Sequence, residues 1–186
     1  NRFPDPISSK LKSGPEIAHE MADRVTKHQR IKILSPATVI GGYEGGLLAI
    51  KKGNSLIQLR ASETVVATGT YEVPWLFENN DLPGILLGTG ALRLVHLYGV
   101  KPGKQVTVVV SDDEGLHVAI NLSRAGVQIV AVVDGRLGTT DSPALQELQD
   151  LGIPYFASFV PLAAQGRSRV RSLRVAPLAP EGSIDI

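Results

Sequence analysis

The residues whose types and spacing could do chemistry lie at one turn, which reads Ser111-Asp-Asp-Glu-Gly-Leu116. An apolar run, residues 105–110, precedes this turn, and an amphipathic segment that ends at Gly126 follows it. A second apolar run, residues 127–133, is closed by Asp134. A buried strand, a tight turn, a helix and a second strand that ends in an acid are typical of a dinucleotide-binding βαβ unit. The scaffold therefore fits a nucleotide.

The turn itself lacks the glycines that bind a pyrophosphate. The positions of the usual Gly-x-Gly-x-x-Gly pattern hold Ser111, Asp113 and Leu116, and Gly115 is out of phase with that pattern. Side chains there are expected to obstruct the tight turn, the approach of the backbone to the phosphates and the packing of helix on strand. We therefore predict that NAD(P) does not bind tightly here, and that glycine at all three positions would improve binding.

The acids of this turn have two interpretations. Three acids stand at the start of a helix: Asp112, Asp113 and Glu114. The interaction of each carboxylate with the helix dipole stabilises the helix by about 0.3–1 kcal/mol. The alternative, a Mg²⁺ ion beneath a nucleotide, needs converging oxygens, whereas adjacent side chains diverge, so capping is favoured. Asp134 follows Gly115 by 19 residues and suits a ribose hydroxyl, with a strand-end turn as the alternative.

The composition excludes several classes of function. The 186 residues include 19 basic and 18 acidic side chains, so a net charge of +1 gives no long-range attraction for nucleic acid. Without cysteine the chain has no thiolate nucleophile, redox dithiol or iron–sulfur ligand. No apolar run approaches the roughly 20 residues of a membrane span. We expect a cytoplasmic protein without a nucleic-acid partner and, because the chain lacks an initiator Met, a fragment or a processed piece.

The first part of the chain predicts a helix and a β-meander. Ser13-Gly-Pro-Glu16 has the spacing of a capping box, and Ile17, Met21 and Val25 recur as one apolar stripe that is expected to pack on a sheet. Short β runs follow, separated by glycine turns, and the last of them ends at Thr68-Gly69. The predicted strands are residues 31–34, 37–43, 47–50, 56–61 and 64–67.

The second part of the chain predicts alternating helices and strands. A helix over residues 89–98 stops at Gly99, and another begins at Ser142-Pro143. Trp75, the only tryptophan, is expected to pack between domains, with stacking on a ligand as the alternative. Strands are predicted over residues 154–157 and 159–164. Three arginines that follow are predicted to alternate on one face of a strand: Arg167, Arg169 and Arg171. Such a stripe is typical of a solvated edge strand, with a contact to a partner subunit as the alternative.

Four linked motifs identify a family resemblance. They are Ala67-Thr-Gly-Thr-Tyr-Glu-Val-Pro74, Asn80-Asp-Leu-Pro-Gly84, Leu97-Tyr-Gly-Val100 and the strand, turn and helix after Lys104. Together they resemble the alpha subunit of heteromeric sarcosine oxidase. The chain is equally similar to the dye-linked proline dehydrogenase alpha subunit and to the corresponding subunits of opine oxidase and hydrogen cyanide synthase. These proteins belong to the flavoprotein superfamily with two dinucleotide domains, with an architecture like that of thioredoxin reductase.

The resemblance implies an α/β fold with two incomplete domains. Residues 1–70 would be part of a first, FAD-type nucleotide-binding domain with a β-meander, and residues 71–85 a linker. Residues 86–178 would be a second, Rossmann-like three-layer βαβ domain. Residues 179–186 would begin the return to the first domain.

The resemblance also implies site residues, cofactors and partners. Thr68 and Gly69 would lie beside the nucleotide of the first domain, and Thr38 and Val39 beside its adenine. The complete protein would bind FAD or another adenine nucleotide and act as an FAD-dependent oxidoreductase on CH–NH donors. Its partners would be other subunits of the complex or missing parts of the same chain, and the isolated chain would be inactive. The residues themselves identify no catalytic group or metal site, and a structural or regulatory domain that has lost its cofactor is the alternative.

Overall fold

A computed structural model describes residues 2–4, 11–138 and 141–184 of the chain. The fold divides into two compact units, Asn1–Gly69 and Thr70–Ile186, called here the first and the second unit. Across the described ranges, no helix is long and apolar enough to cross a membrane.

The first unit begins with a two-stranded ribbon and a helix. Strands β1 (Arg2–Pro4) and β2 (Leu11–Ser13) pair antiparallel, and helix α1 (Gly14–Lys27) follows directly. The predicted helix is confirmed, but the predicted core role of its apolar stripe is wrong, because Met21 and Val25 are exposed. No residue of α1 is buried, and its main contact among the described elements is with the ribbon strand β2.

The β-meander is confirmed by a three-stranded antiparallel sheet in the order β3-β4-β5. Its strands are β3 (Thr38–Tyr43), β4 (Leu47–Lys52) and β5 (Ser55–Arg60). A short 3₁₀ turn, Glu44–Gly46, joins the first two strands. The carbonyl of Gly46 accepts a hydrogen bond from the Ala61 amide at 2.9 Å, which closes the far end of the β4–β5 hairpin.

Two further strands predicted for the first unit do not form. Residues 31–34 and 64–67 do not pair with any described strand. A β run without a neighbour leaves its backbone groups and both of its faces to solvent. Val65 is 90% and Val66 is 77% exposed, so the second of these segments presents apolar side chains on both faces.

The second unit contains the predicted βαβ unit. Helix α2 (Gly88–Tyr98) leads to strand β6 (Gln105–Val110), helix α3 (Asp113–Arg124) and strand β7 (Gln128–Asp134). Helix α4 (Pro143–Asp150) and strand β8 (Tyr155–Ala157) complete a parallel sheet in the order β6-β7-β8. Helix α3 packs on β6 and β7 and against α2 and α4. The largest side chains of this core that are almost wholly buried are Leu116, Ile120, Leu122, Val132 and Leu148.

An antiparallel hairpin follows the parallel sheet. Strands β9 (Phe159–Gln165) and β10 (Ser172–Pro177) pair with each other, and β9 contacts β7. The predicted alternation of arginines along a strand is wrong, because Arg167, Arg169 and Arg171 lie in the loop between these strands. The chain reverses there around Gly166, where an added Cβ atom would collide with the carbonyl oxygen of Arg169.

The chain after the hairpin is described as far as residue 184. Leu178 forms an isolated antiparallel bridge with Ile184, across a turn at Gly182. The chain is predicted to begin its return to the first domain over residues 179–186, and the last two of these, residues 185 and 186, lie outside the described residues.

Candidate nucleotide site

The turn that enters helix α3 is closed by its own acid. Asp112 is the N-cap residue, and its Oδ1 atom accepts a hydrogen bond from the Gly115 amide at 2.8 Å. Asp113 and Glu114 fill the first helical turn, where carboxylates stabilise the positive end of the helix dipole. The capping interpretation is confirmed for Asp112. An amide that a phosphate would need as a donor is therefore already used by the chain.

The close contact between helix α3 and strand β6 is made at Gly115. A Cβ atom on Gly115 would lie 2.7 Å from both Cβ and Cγ1 of Val110, closer than real Cβ atoms approach. Leu116, by contrast, is wholly buried in the core. Our prediction that Leu116 obstructs the packing of helix on strand is wrong, because successive helical residues are rotated by about 100°. That rotation turns Gly115 toward the strand and Leu116 into the core.

Gly115→Ala is therefore expected to destabilise the second unit by about 1–3 kcal/mol, although alanine is the better helix former. Gly90→Ala is the matched control, since Gly90 lies inside helix α2 with no atom within 4 Å of an added Cβ. That control should gain about 0.4–1 kcal/mol. Urea unfolding of the two variants tests the contact, and a stabilised Gly115→Ala protein would contradict it.

The acid at the end of β7 is buried and hydrogen-bonded within the protein. Asp134 is 0% exposed. Its carboxylate accepts hydrogen bonds from Nε of Arg136 at 3.0 Å to each oxygen, and from Nη2 of Arg136 at 2.6 Å. The Arg136 amide donates to Oδ1 at 2.9 Å, and the Tyr155 hydroxyl donates to Oδ2 at 2.8 Å. Both oxygens that could accept a ribose hydroxyl are thus engaged.

Arg136 also connects the ends of the two central strands. Its Nη1 atom donates to Oδ1 of Asp113 at 2.8 Å, at the start of helix α3. Val110, the last residue of β6, is the register partner of Asp134, and the Gly135 amide donates to the Val110 carbonyl at 3.0 Å. The guanidinium therefore spans the crevice between the carboxyl ends of β6 and β7, where doubly wound folds bind ligands.

The pKa values of this network reflect its tight pairing. Burial opposes ionisation of Asp134, but hydrogen bonds from Arg136 and Tyr155 outweigh it, so the pKa of Asp134 is lowered. The hydrogen bond from Arg136 lowers the pKa of Asp113, and the bonds to both acids raise the pKa of Arg136. Burial, followed by the bond to Asp134, raises the pKa of Tyr155 to about 12. At neutral pH the network consists of two carboxylates, one guanidinium and a neutral phenol.

Trp75 packs beside this network, within the second unit. A Cβ atom on Gly135 would lie 2.5 Å from Cη2 of the Trp75 ring, so the ring covers the residue between Asp134 and Arg136. The Trp75 carbonyl accepts a hydrogen bond from Nδ2 of Asn80 at 2.8 Å, which holds this segment in place. The indole therefore covers the end of β7.

The predicted nucleotide-binding residues of the first unit lie on its sheet and at its end. In the sheet register Thr38 pairs with Lys51 and Val39 with Ile50. Thr68 and Gly69 are exposed, and Gly69 has φ +77° with no atom within 4 Å of an added Cβ. Asp134 belongs to the second unit, so the five predicted residues are divided between the two units. Their role in binding stays a prediction.

Arg136 and Tyr155 were not among the site residues predicted from the sequence. Arg136 has a local signal, a basic side chain two residues beyond a strand-end acid. Tyr155 has none, because it lies 21 residues from Asp134 and meets it only through the parallel pairing of β7 with β8. Metal-ligand geometry gives no further site, since the described ranges contain no group of three or more His, Cys, Asp or Glu side chains that could hold a metal ion.

Comparison with known sequences supports the resemblance to sarcosine oxidase. No family model matches the chain. The sarcosine oxidase alpha subunit of Corynebacterium sp. (strain P-1) is 39% identical over 95 residues, which are 51% of this chain and 10% of that protein. The alpha subunit of Rhizobium meliloti (strain 1021) is 27% identical over 139 residues, 67% of this chain and 14% of that protein. The predicted resemblance is confirmed, and the chain spans only a small part of these relatives.

Solved structures show the fold. The thioredoxin reductase of T. acidophilum superposes with a TM-score of 0.68 and 17% identity over 99% of this chain and 59% of that one. The Lactococcus lactis thioredoxin reductase superposes with a TM-score of 0.64 and 13% identity over 99% of this chain and 59% of that one. An NAD-dependent persulfide reductase from A. fulgidus superposes with a TM-score of 0.55 and 14% identity over 87% of this chain and 31% of that one. The chain has the α/β fold of these reductases, as predicted.

Proposed function

We propose that the chain is part of the alpha subunit of a multi-subunit FAD-dependent oxidoreductase that acts on an amine or imino acid of the sarcosine, proline or opine type. The observation that carries the proposal is the similarity to the sarcosine oxidase alpha subunits of two organisms, one of which extends over 67% of the chain. The fold supports it, because thioredoxin reductases superpose on 99% of the chain. The role of the chain in that enzyme is to provide nucleotide-domain scaffold.

The first unit contributes one side of an adenine-nucleotide site, for FAD or a related nucleotide. Thr38 and Val39 lie on β3, and Thr68 and Gly69 end the apolar segment that closes the unit. The positive φ of Gly69 and the open space beside it fit a backbone position that a bound group approaches closely. A bound flavin would accept hydride from the substrate. The residues of this chain position the nucleotide, and other segments complete the site.

The second unit holds no NAD(P) of its own in this proposal. Asp134 would reach a ribose hydroxyl only after Arg136 and Tyr155 had released it, and release would leave a buried carboxylate unpaired. We therefore favour the strand-end structural role for Asp134 over the ribose-binding role. The closed crevice also favours the alternative function, a structural or regulatory domain that has lost its cofactor.

The Gly69→Val variant of the protein that carries this chain tests the proposed site. A side chain at Gly69 would fill the space assigned to the nucleotide, so we expect the affinity for flavin or adenine nucleotide to fall by about tenfold or more. The measurement is the flavin content by absorbance and the binding of added FAD and ADP by titration, together with oxidation of sarcosine or proline by an artificial electron acceptor.

Gly53→Val is the matched control for this experiment. Gly53 also has a positive φ, +57°, and also has no atom within 4 Å of an added Cβ. Both variants carry similar backbone strain, of about 1–2 kcal/mol, so an equal loss of stability is expected. Loss of nucleotide in the Gly69 variant alone supports the site. Wild-type protein that binds no flavin or adenine nucleotide would favour the cofactor-free alternative.

A further inference from the structure

We propose that the loop between β9 and β10, with the apolar pair Leu86-Leu87 beside it, is the surface that docks a carboxylate-rich face of a partner subunit. This loop, residues 166–171, is called here the arginine tip. The proposal rests on the proposed function in one respect, because it is the proposed function that implies a partner subunit. The order of the tip, its charge and its apolar neighbours support this assignment.

The arginine tip is held in one shape by contacts at both of its ends. The Arg171 amide donates to the Gln165 carbonyl at 2.8 Å, and the Val170 amide donates to the Pro83 carbonyl at 3.0 Å. Val170 also packs on Gly84, where an added Cβ would lie 2.9 Å from its Cγ1 atom. An ordered tip presents its side chains without the entropy cost of first ordering a loop on binding.

The charge of the tip is not neutralised by the chain. Arg167, Arg169 and Arg171 are exposed, and within the described ranges their side chains form no ion pair or hydrogen bond. Residues 151–180 contain four arginines and no Asp or Glu, although the whole chain has a net charge of only +1. Guanidinium groups bind carboxylates through two parallel hydrogen bonds, which makes three unpaired arginines a fit for an acidic protein surface.

An exposed apolar pair adjoins the tip. Pro83 and Gly84, which contact Val170, are followed closely by Leu86 and Leu87, and both leucines are exposed. Three residues of extended chain span at most about 11 Å, so Leu86 lies within that distance of Pro83 and of its contact with the tip. Apolar side chains bordered by arginine are characteristic of protein–protein interfaces.

The same features disfavour nucleic acid and lipid as the occupant. Residues 160–180 contain no aromatic side chain on which a base could stack. The net charge of +1 gives no broad field for a polyanion. Three arginines would contribute about 1 kcal/mol each at an anionic membrane, which is too little for stable attachment. A protein partner with local carboxylates fits the tip best.

The test compares two triple charge reversals in the intact complex, purified through a tag on the polypeptide that carries this chain. Arg167→Glu, Arg169→Glu and Arg171→Glu are combined in the tip variant. The control variant combines Arg24→Glu, Arg30→Glu and Lys32→Glu, three exposed residues of the first unit with the same total change in charge. Mass photometry over a dilution series then measures the dissociation constant of the partner subunit.

We expect the tip variant to raise that dissociation constant by about 100-fold and the control to leave it within about twofold, because like charges now face each other at the tip alone. An unchanged circular dichroism spectrum of the polypeptide that carries this chain would show that the second unit remains folded. In a further variant, Arg169→Lys, carbodiimide should couple the new amine to an Asp or Glu of the partner. A tip variant that assembles normally, or coupling of the new amine only within its own chain, would overturn the proposal.

Two further measurements distinguish a protein partner from nucleic acid and membrane, and the docking surface from the proposed function. The wild-type protein could bind a 20-nucleotide oligothymidylate, or vesicles of phosphatidylcholine with phosphatidylserine, more tightly than the tip variant does. If the tip variant also assembled normally with the partner subunit, nucleic acid or membrane would replace the protein partner as the occupant. A flavin-containing wild-type protein without any partner would overturn the docking surface alone. A partner released by the tip variant from a protein without flavin would overturn the proposed function alone.

Discussion

Arg136→Met is expected to lower the free energy of unfolding of the second unit by about 3 kcal/mol at neutral pH, because it leaves a buried carboxylate without its cation. Asp134 is 0% exposed, and three of its hydrogen bonds come from the Arg136 side chain. Methionine fills a similar volume, so the loss reports the missing charge and hydrogen bonds more than a cavity. Urea unfolding of this chain, followed by the fluorescence of Trp75, its only tryptophan, measures this unit specifically.

Arg124→Met is the control for the removal of a paired arginine. Nη2 of Arg124 forms an ion pair with Oε1 of Glu147 at 2.6 Å, but the Arg124 side chain is 60% exposed, so solvent screens the pair. We expect a loss of at most about 1 kcal/mol for this variant. Equal losses in the two variants would show that the network of Asp134 contributes no more than a surface ion pair.

The pH dependence of the Arg136 variant should be opposite in sign to that of the wild type. In the wild type the folded-state pKa of Asp134 is lowered, so its contribution is present above the ordinary pKa and is lost as the pH falls. Without Arg136, burial raises the pKa of Asp134 above its unfolded value, so stability is lost as the pH rises. The difference between the two proteins should therefore shrink as the pH is lowered from 7 toward 4. A difference that is constant over this range would mean that Asp134 is not the group left unpaired.

The sequence predicts the local parts of this fold well, because their signals lie within short segments. The apolar runs of β6 and β7, the Ser142-Pro143 start of α4 and the glycine turns of the β-meander each determine an element without distant contacts. The capping role of Asp112 is of the same kind, since its partner, the Gly115 amide, is three residues away.

Features that depend on distant partners could not be predicted in this way. The stripe of α1 has the period of a core helix, but Met21 is exposed because periodicity does not say which surface the stripe meets. The apolar run of residues 64–67 has strand composition but no described strand beside it. The bond between Tyr155 and Asp134 depends on the register of β8 against β7. Local chemistry therefore identified the turn and its acid, but not the side chains that close the crevice.

The wild-type protein is expected to show no saturable binding of NADH or NADPH at the second unit up to about 100 μM, since carboxylates and bound phosphates repel by about 1 kcal/mol or more per pair. The turn carries Asp112, Asp113 and Glu114, and the amide of Gly115 already donates to Asp112. Arg136 fills the crevice and engages the carboxylate of Asp134, where a ribose would bind. Isothermal titration and NADH fluorescence measure the affinity.

The variant that tests the cause combines Ser111→Gly with Asp113→Gly and leaves Leu116 unchanged. The three-glycine variant predicted from the sequence is unsuitable, because Leu116 is wholly buried and its loss would cost about 2–5 kcal/mol or more. Asp113→Gly removes one charge and also frees Nη1 of Arg136, so affinity should rise by about tenfold. Glu114→Gln is the control, since it removes one charge from the same turn but gives the backbone no room. A micromolar dissociation constant for the wild type, with the pyrophosphate on residues 111–116, would show that the crevice opens and that the second unit is a working dinucleotide site.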